Sequence, residues 1–67
     1  MTQDQYNECI KYRGVINLFV SSGQYVGGAD GLFDFYNVPK QERGCPSCLS
    51  RFLLERHSDI QNYERNM

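Results

Sequence analysis

Cys45-Pro46-Ser47-Cys48 is the densest group of reactive side chains in this sequence, and two thiols at that spacing suit three different chemistries. The first is metal binding. Tetrahedral zinc takes four thiolate or imidazole ligands, and the only other candidates are Cys9 and the single histidine, His57, so one chain reaches four only by using all of them. If the residues after Pro46 form one helix, His57 follows Cys48 by nine positions, roughly 13 Å along the axis. A zinc-stapled module would then need a water, a carboxylate or a histidine from a second copy as its fourth ligand. The second chemistry is thiol redox, with Cys45 as nucleophile and Cys48 as resolving thiol. A helix N-terminus and the neighbouring Arg43 would both favour the thiolate. Thioredoxin-like catalysis, however, sets this motif after a strand in a βαβ unit, and the charged Lys40 to Arg43 does not read as one. In the third reading the thiols are inert: Cys45 caps a helix, while Cys48 and Cys9 pack as small apolar groups. Inert packing is the expectation, with zinc as the alternative and redox chemistry behind it.

No other pattern carries recognised chemistry. His57 has no serine or cysteine at a triad spacing and reads as a solvated helix-flank residue. Gly27-Gly28-Ala29-Asp30-Gly31 lacks the Lys-Ser/Thr ending and preceding strand of a phosphate-cradling loop, and Asp30 with Asp34 falls short of a calcium loop. The chain therefore reads as no enzyme. Seven basic against eight acidic residues, a net charge of −1, disfavour nucleic acid as a partner, since affinity for a phosphate backbone comes from a basic surface that releases counterions. The longest apolar run, Val15 to Val20, is interrupted by Asn17 and far too short for a bilayer. Met1-Thr-Gln-Asp-Gln5 has none of the features of a secretory signal. Three cysteines cannot all pair with one another, which leaves a reducing, cytoplasmic setting as the expectation.

The elements that must hold these groups are helical. Thr2 and Gln5 form a capping box that opens a helix on which Tyr6, Cys9, Tyr12, Ile16, Phe19 and Val20 share one face, so that Cys9 points inward. A strand over Val15 to Val20 competes, because β-branched residues favour strands and Gly14 weakens a helix; helix is the preferred reading. Ser21-Ser-Gly23 ends the element and the glycines at 27, 28 and 31 reverse the chain. Asp30 then caps a short helix to Asn37 that carries Leu32, Phe33, Phe35 and Tyr36 into the core, and Lys40 to Gly44 is a polar connector. Pro46 suits the first position of a closing helix capped by Cys45, with Leu49, Phe52, Leu53, Ile60 and Tyr63 in one stripe through to Met67. Sixty-seven residues with 40% hydrophobic and 13% aromatic content make one domain. The expected fold is all-α: two longer helices packed antiparallel, closed by a short middle helix.

Two residues break the pattern of the closing helix. Arg56 sits inside the apolar stripe and Leu54 projects from the opposite side, and both are candidate contacts with a partner. Tyr25, on the glycine-rich turn, is the tyrosine expected to be most exposed and is a third candidate. The layout of Lys11-Tyr-Arg13 with its apolar continuation, the glycine-rich middle with Leu32-Phe33 and Phe35-Tyr36, and the Gly44-Cys45-x-x-Cys48 helix start resembles short bacteriophage and mobile-element proteins of Bacteroidetes hosts. That resemblance implies an intracellular or virion setting and a small protein that acts by binding. The expected function is thus non-catalytic protein binding or self-assembly, as a virion component or an inhibitor of a host protein.

Overall fold

A computed structural model describes all 67 residues. The chain is all-α: helix α1 spans Gln3–Ile10, α2 Arg13–Ser22, α3 Asp30–Phe35, α4 Lys40–Arg43 and α5 Pro46–Arg65, with no strand. Val15 to Val20 is therefore helical. The capping box forms as the sequence implies, with Thr2 Oγ1 accepting from the Gln5 N–H at 3.1 Å and Gln5 Oε1 from the Thr2 N–H at 2.8 Å. The helix it opens does not run through to Val20. It breaks at Lys11–Tyr12, where Tyr12 leaves helical geometry (φ −112°, ψ 18°) ahead of the weak helix former Gly14. The bend lets α1 touch α3 as well as α5 while α2 packs along α5.

Four other boundaries differ from expectation. Helix α3 ends at Phe35 rather than Asn37, which takes the left-handed backbone (φ 57°) that no helix continues through. Ala29, not Asp30, is the N-cap of α3, and Asp30 stands in its first turn, where a carboxylate still favours the helix dipole. The supposed connector Lys40 to Arg43 coils into the single turn α4, launched by the extended Pro39. At the C-terminus α5 stops at Arg65. Its start is as read: Cys45 is the N-cap and Pro46 the first helical residue. Between α2 and α3 the reversal uses Gly23 as a left-handed cap, then Gly27 and Gly28 in succession at φ near 90°, a backbone that side-chain-bearing residues rarely adopt.

The core is small and apolar: Cys9, Ile16, Phe19, Ala29, Leu32, Phe33, Leu53 and Ile60, with no buried charged residue. Tyr6, Tyr12, Val15, Tyr25, Tyr36, Val38, Leu49 and Phe52 pack around it. Cys9 lies inward as expected, whereas Val20 and Phe35, read as core, are 39% and 41% exposed. Phe33 is the aromatic hub, with Phe52 edge-on at 5.5 Å and Tyr25 tilted at 5.8 Å. The far end of α5 is held by Tyr63, which stacks on Tyr6 at 4.5 Å, and by Glu64, which accepts from Tyr6 Oη at 2.7 Å and pairs with Arg13. The hydrogen bond from Tyr6 and the bond and charge of Arg13 hold the Glu64 carboxyl below its usual range.

Helix α3 approaches α1 and the bend closely, and the Tyr12 hydroxyl occupies the space a side chain at Gly31 would need. Gly31→Ala should therefore cost about 1–3 kcal/mol by overpacking, part of which Tyr12→Phe recovers by removing the clashing oxygen. Chemical denaturation of the single and double variants measures the coupling; additive effects would show that the two residues do not meet.

Candidate functional site

The polar end of the molecule is built on the start of α5. Arg43, the last residue of α4, donates from Nε and Nη2 to the Val38 carbonyl at 3.0 and 2.9 Å, pairs with Asp34 at 2.8 Å and lies 5.7 Å from the centre of the Phe33 ring. These contacts tie α4 to the end of α3 and fix the short step through Gly44 to Cys45. The Cys45 sulphur accepts from the Cys48 N–H at 3.4 Å and lies 3.3 Å from Ser47 Oγ. Both thiols are half-buried, and neither is in a disulfide.

This environment separates the two cysteines chemically. Hydrogen bonding from the Cys48 thiol, then from the Ser47 hydroxyl, then from the Cys48 N–H, lowers the Cys45 thiol to about 7. The same bond raises Cys48, the thiol that holds the proton, with some desolvation in the same direction. Arg43, which the sequence suggested as the stabilising charge, is instead spent on Val38, Asp34 and Phe33. On the Cys48 side of the pair opens a cavity of about 240 Å³ lined by Glu42, Ser47, Cys48, Arg51, Phe52 and Glu55; Cys45 is not part of its wall.

The zinc constellation does not assemble. Cys9 is fully buried in the core, 3.6 Å from Tyr36 Oη, and burial pushes its thiol up. His57 lies near the middle of α5, beside a different cavity lined by Arg13, Asn17, Ile60, Gln61 and Glu64. No three metal-ligating side chains of Cys9, Cys45, Cys48, His57 and the carboxylates converge anywhere in the chain. The physical reason is the continuity of α5, which carries His57 away from Cys48 on an uninterrupted helix.

The three candidate contact residues separate as well. Arg56 is turned inward: its guanidinium lies 4.6 Å from the centre of the Tyr36 ring and 5.0 Å from that of Phe52, and it pairs with Asp59 at 3.1 Å and Glu55 at 3.4 Å. Its side chain is 15% exposed, and its Nε is buried without a hydrogen-bond partner. Two aromatic faces make an arginine acceptable within the apolar stripe, so no second chain is needed to explain it. Tyr25 is half-buried rather than open, its hydroxyl accepting from the Ala29 N–H at 3.1 Å and its ring against Phe33. Leu54 alone is open, at 47% exposure. Ser47 and Arg51 also stand beside the thiols, a placement signalled in the sequence only by their positions two after Cys45 and three after Cys48 in a helix.

No family model matches the chain, and no curated protein or solved structure is significantly similar to it. No helix is long and apolar enough to cross a membrane.

Two outcomes follow from this geometry. Cys45 should react with iodoacetamide ahead of Cys48 and Cys9, its rate rising with pH through a midpoint near 7 as the thiolate forms, and Cys48→Ala should move that midpoint upward. Peptide mass spectrometry after timed alkylation reads both, and equal reactivity of the three thiols would contradict the arrangement. Arg56→Ala should destabilise the fold by about 1–3 kcal/mol through lost stacking, while Arg56→Met, which keeps the apolar stem and removes the unpaired Nε, should stay within about 1 kcal/mol of the parent in urea melts.

Proposed function

We propose that this chain acts by binding protein, with the flank shared by α2 and α5 as the contact surface. The observation that carries the reading is Leu54, a large apolar side chain 47% exposed on the longest helix and outside the hydrophobic core. Its surroundings support it. Arg13 and Asn17 of α2 share a cavity with His57, Gln61 and Glu64 of α5, so the two helices run side by side in opposite directions there. Helical spacing continues this flank from Asn17 to Val20 on one side and from His57 back to Leu54 on the other. Val20, at 39% exposure, is a second open apolar side chain at the α2 end of this flank, and the charged and amide groups toward Glu64 supply polar neighbours. Apolar anchors with such neighbours suit a protein surface, above all an amphipathic helix laid along the groove.

The net charge of −1 and the absence of a basic surface in composition favour a protein over nucleic acid. Self-assembly through the same flank is the simplest form of this function, since a two-fold contact would bring Leu54 against its own copy. A role as a virion component or as an inhibitor of a host protein is the biological setting suggested by the phage-like layout of the sequence.

Leu54→Asp should weaken association at least tenfold while leaving helical content unchanged, because the residue lies outside the core. Sedimentation equilibrium tests the self-assembled form, and cross-linking of the two proteins in their native cells tests a different partner. Identical behaviour of parent and variant in both measurements would remove this surface from consideration; a circular-dichroism spectrum of the variant confirms that the fold is intact.

A further inference from the structure

We propose that Cys45 and Cys48 form a reversible dithiol–disulfide couple that reduces small disulfides of amino-acid thiols, one half of the disulfide being held by the mixed-charge cavity on the Cys48 side of the pair. The two sulphurs belong to one helical turn at the N-terminus of the 20-residue α5, with the Cys48 N–H and Ser47 Oγ both directed to Cys45 Sγ. Cys45 is thereby the nucleophile and Cys48 the resolving thiol, a division of labour already present in the reduced protein. Their depth separates them from Cys9, which is sealed in the core.

The substrate class follows from the cavity. Arg51 and Glu42 both line it, yet they form no ion pair with each other or with any other residue. Glu55, which pairs with Arg56, adds a second carboxylate, and Phe52 an apolar wall. A group bearing both a carboxylate and an ammonium, as an α-amino acid thiol does, complements such a lining: its carboxylate meets Arg51 and its ammonium meets Glu42. The volume of about 240 Å³ suits one amino-acid-sized half of a disulfide rather than a folded protein.

The oxidation of the pair balances with RSSR as the oxidant, and a second dithiol closes the cycle. The Cys45 thiolate attacks one sulphur of the disulfide RSSR, forming a Cys45–SR bond as the S–S bond breaks, and the first RS⁻ leaves and takes up a proton. Cys48 gives up its proton, and its thiolate attacks Cys45 Sγ; the Cys45–SR bond breaks, the Cys45–Cys48 disulfide forms and the second RS⁻ is protonated. The protein loses two electrons and two protons, and RSSR becomes two RSH. A thiol pair elsewhere in the cell returns the protein to its reduced form by the reverse exchange.

The test uses the full, reduced chain and two oxidants, cystine and the uncharged bis(2-hydroxyethyl) disulfide. The parent should lose two hydrogens and end without an adduct, whereas Cys48→Ser should stop at a single cysteine adduct on Cys45, located by peptide mass spectrometry. Cys45→Ser, which keeps a side-chain oxygen to cap the helix, should lose both products while remaining folded. Arg51→Gln should slow the reaction with cystine about threefold and leave the rate with the uncharged disulfide unchanged. An adduct that forms first on Cys48 or Cys9, or a stable adduct on the parent that never closes to a disulfide, would overturn the couple. Equal slowing of both oxidants by Arg51→Gln would overturn the assignment of the cavity. A zinc titration serves as the competing outcome: if added zinc joins two copies through both thiols of each, and blocks the exchange at one metal per pair, the cysteines are metal ligands instead.

Discussion

The edge-to-face contact between Phe33 and Phe52, 5.5 Å between ring centres, is the joint on which the remainder of the molecule turns. Helix α3 is six residues long and cannot hold itself together in water. It persists because Phe33 and Leu32 are buried against the rest of the core. Everything that follows in the chain is registered to that anchor. The Phe33 carbonyl accepts from the Val38 N–H at 2.9 Å, the Val38 carbonyl accepts both donors of Arg43, and the Arg43 guanidinium returns to the Phe33 ring. That loop of contacts turns a four-residue helix into a rigid step and delivers Cys45 to the start of α5 in one orientation.

Helix α5 is then held at both ends. Its first turns are set by α4 and by Phe52, which also meets Tyr36 at 5.6 Å, and its last turns by Tyr63, Glu64 and their partners on α1 and α2. Between them Leu53 and Ile60 supply the buried apolar contact with Ile16 and Phe19 of α2. A domain of this size buries too little surface for a generous core, so aromatic edges and stacked arginines carry load that a larger protein would leave to aliphatic packing. Arg43 and Arg56 are both used in this way, each against rings that also belong to the core or its rim.

The same economy explains what could be read from the sequence. Capping depends on residues three apart, so the Thr2–Gln5 box and the Cys45-Pro46 start were legible, as was the inward position of Cys9 from its helical phase. The break at Lys11–Tyr12 was not, because helical periodicity continues across it and only the space beside Gly31 reveals why the Tyr12 side chain must turn. Ala29 gave no signal of burial, since a single small residue in a glycine-rich turn has no period to belong to. Lys40 to Arg43 is charged enough to pass for a loop, and its helix is conferred by Arg43 reaching back to Val38. For the site, the thiol pair was visible as a motif, but the residue that lowers Cys45 was misjudged. Arg43 is close in sequence and committed elsewhere, whereas Cys48 and Ser47 act through hydrogen bonds within the first turn.

The three cysteines show how far placement alone decides the chemistry of one side chain. Cys9 is surrounded by apolar groups and the Tyr36 hydroxyl, where a thiolate would lose its hydration with little in return, so burial keeps it protonated. Cys45 meets donors from the backbone and side chains of its own turn, which replace the water a thiolate would need. Cys48, one turn on, is pushed the other way and keeps its own proton more firmly. None of this requires a strand before the helix: the polarisation arises from the open N–H groups of the first turn and from the spacing of Pro46 and Ser47 between the thiols. A βαβ frame is one way of presenting such a turn, and here α4 and the Phe33 anchor present it without a sheet.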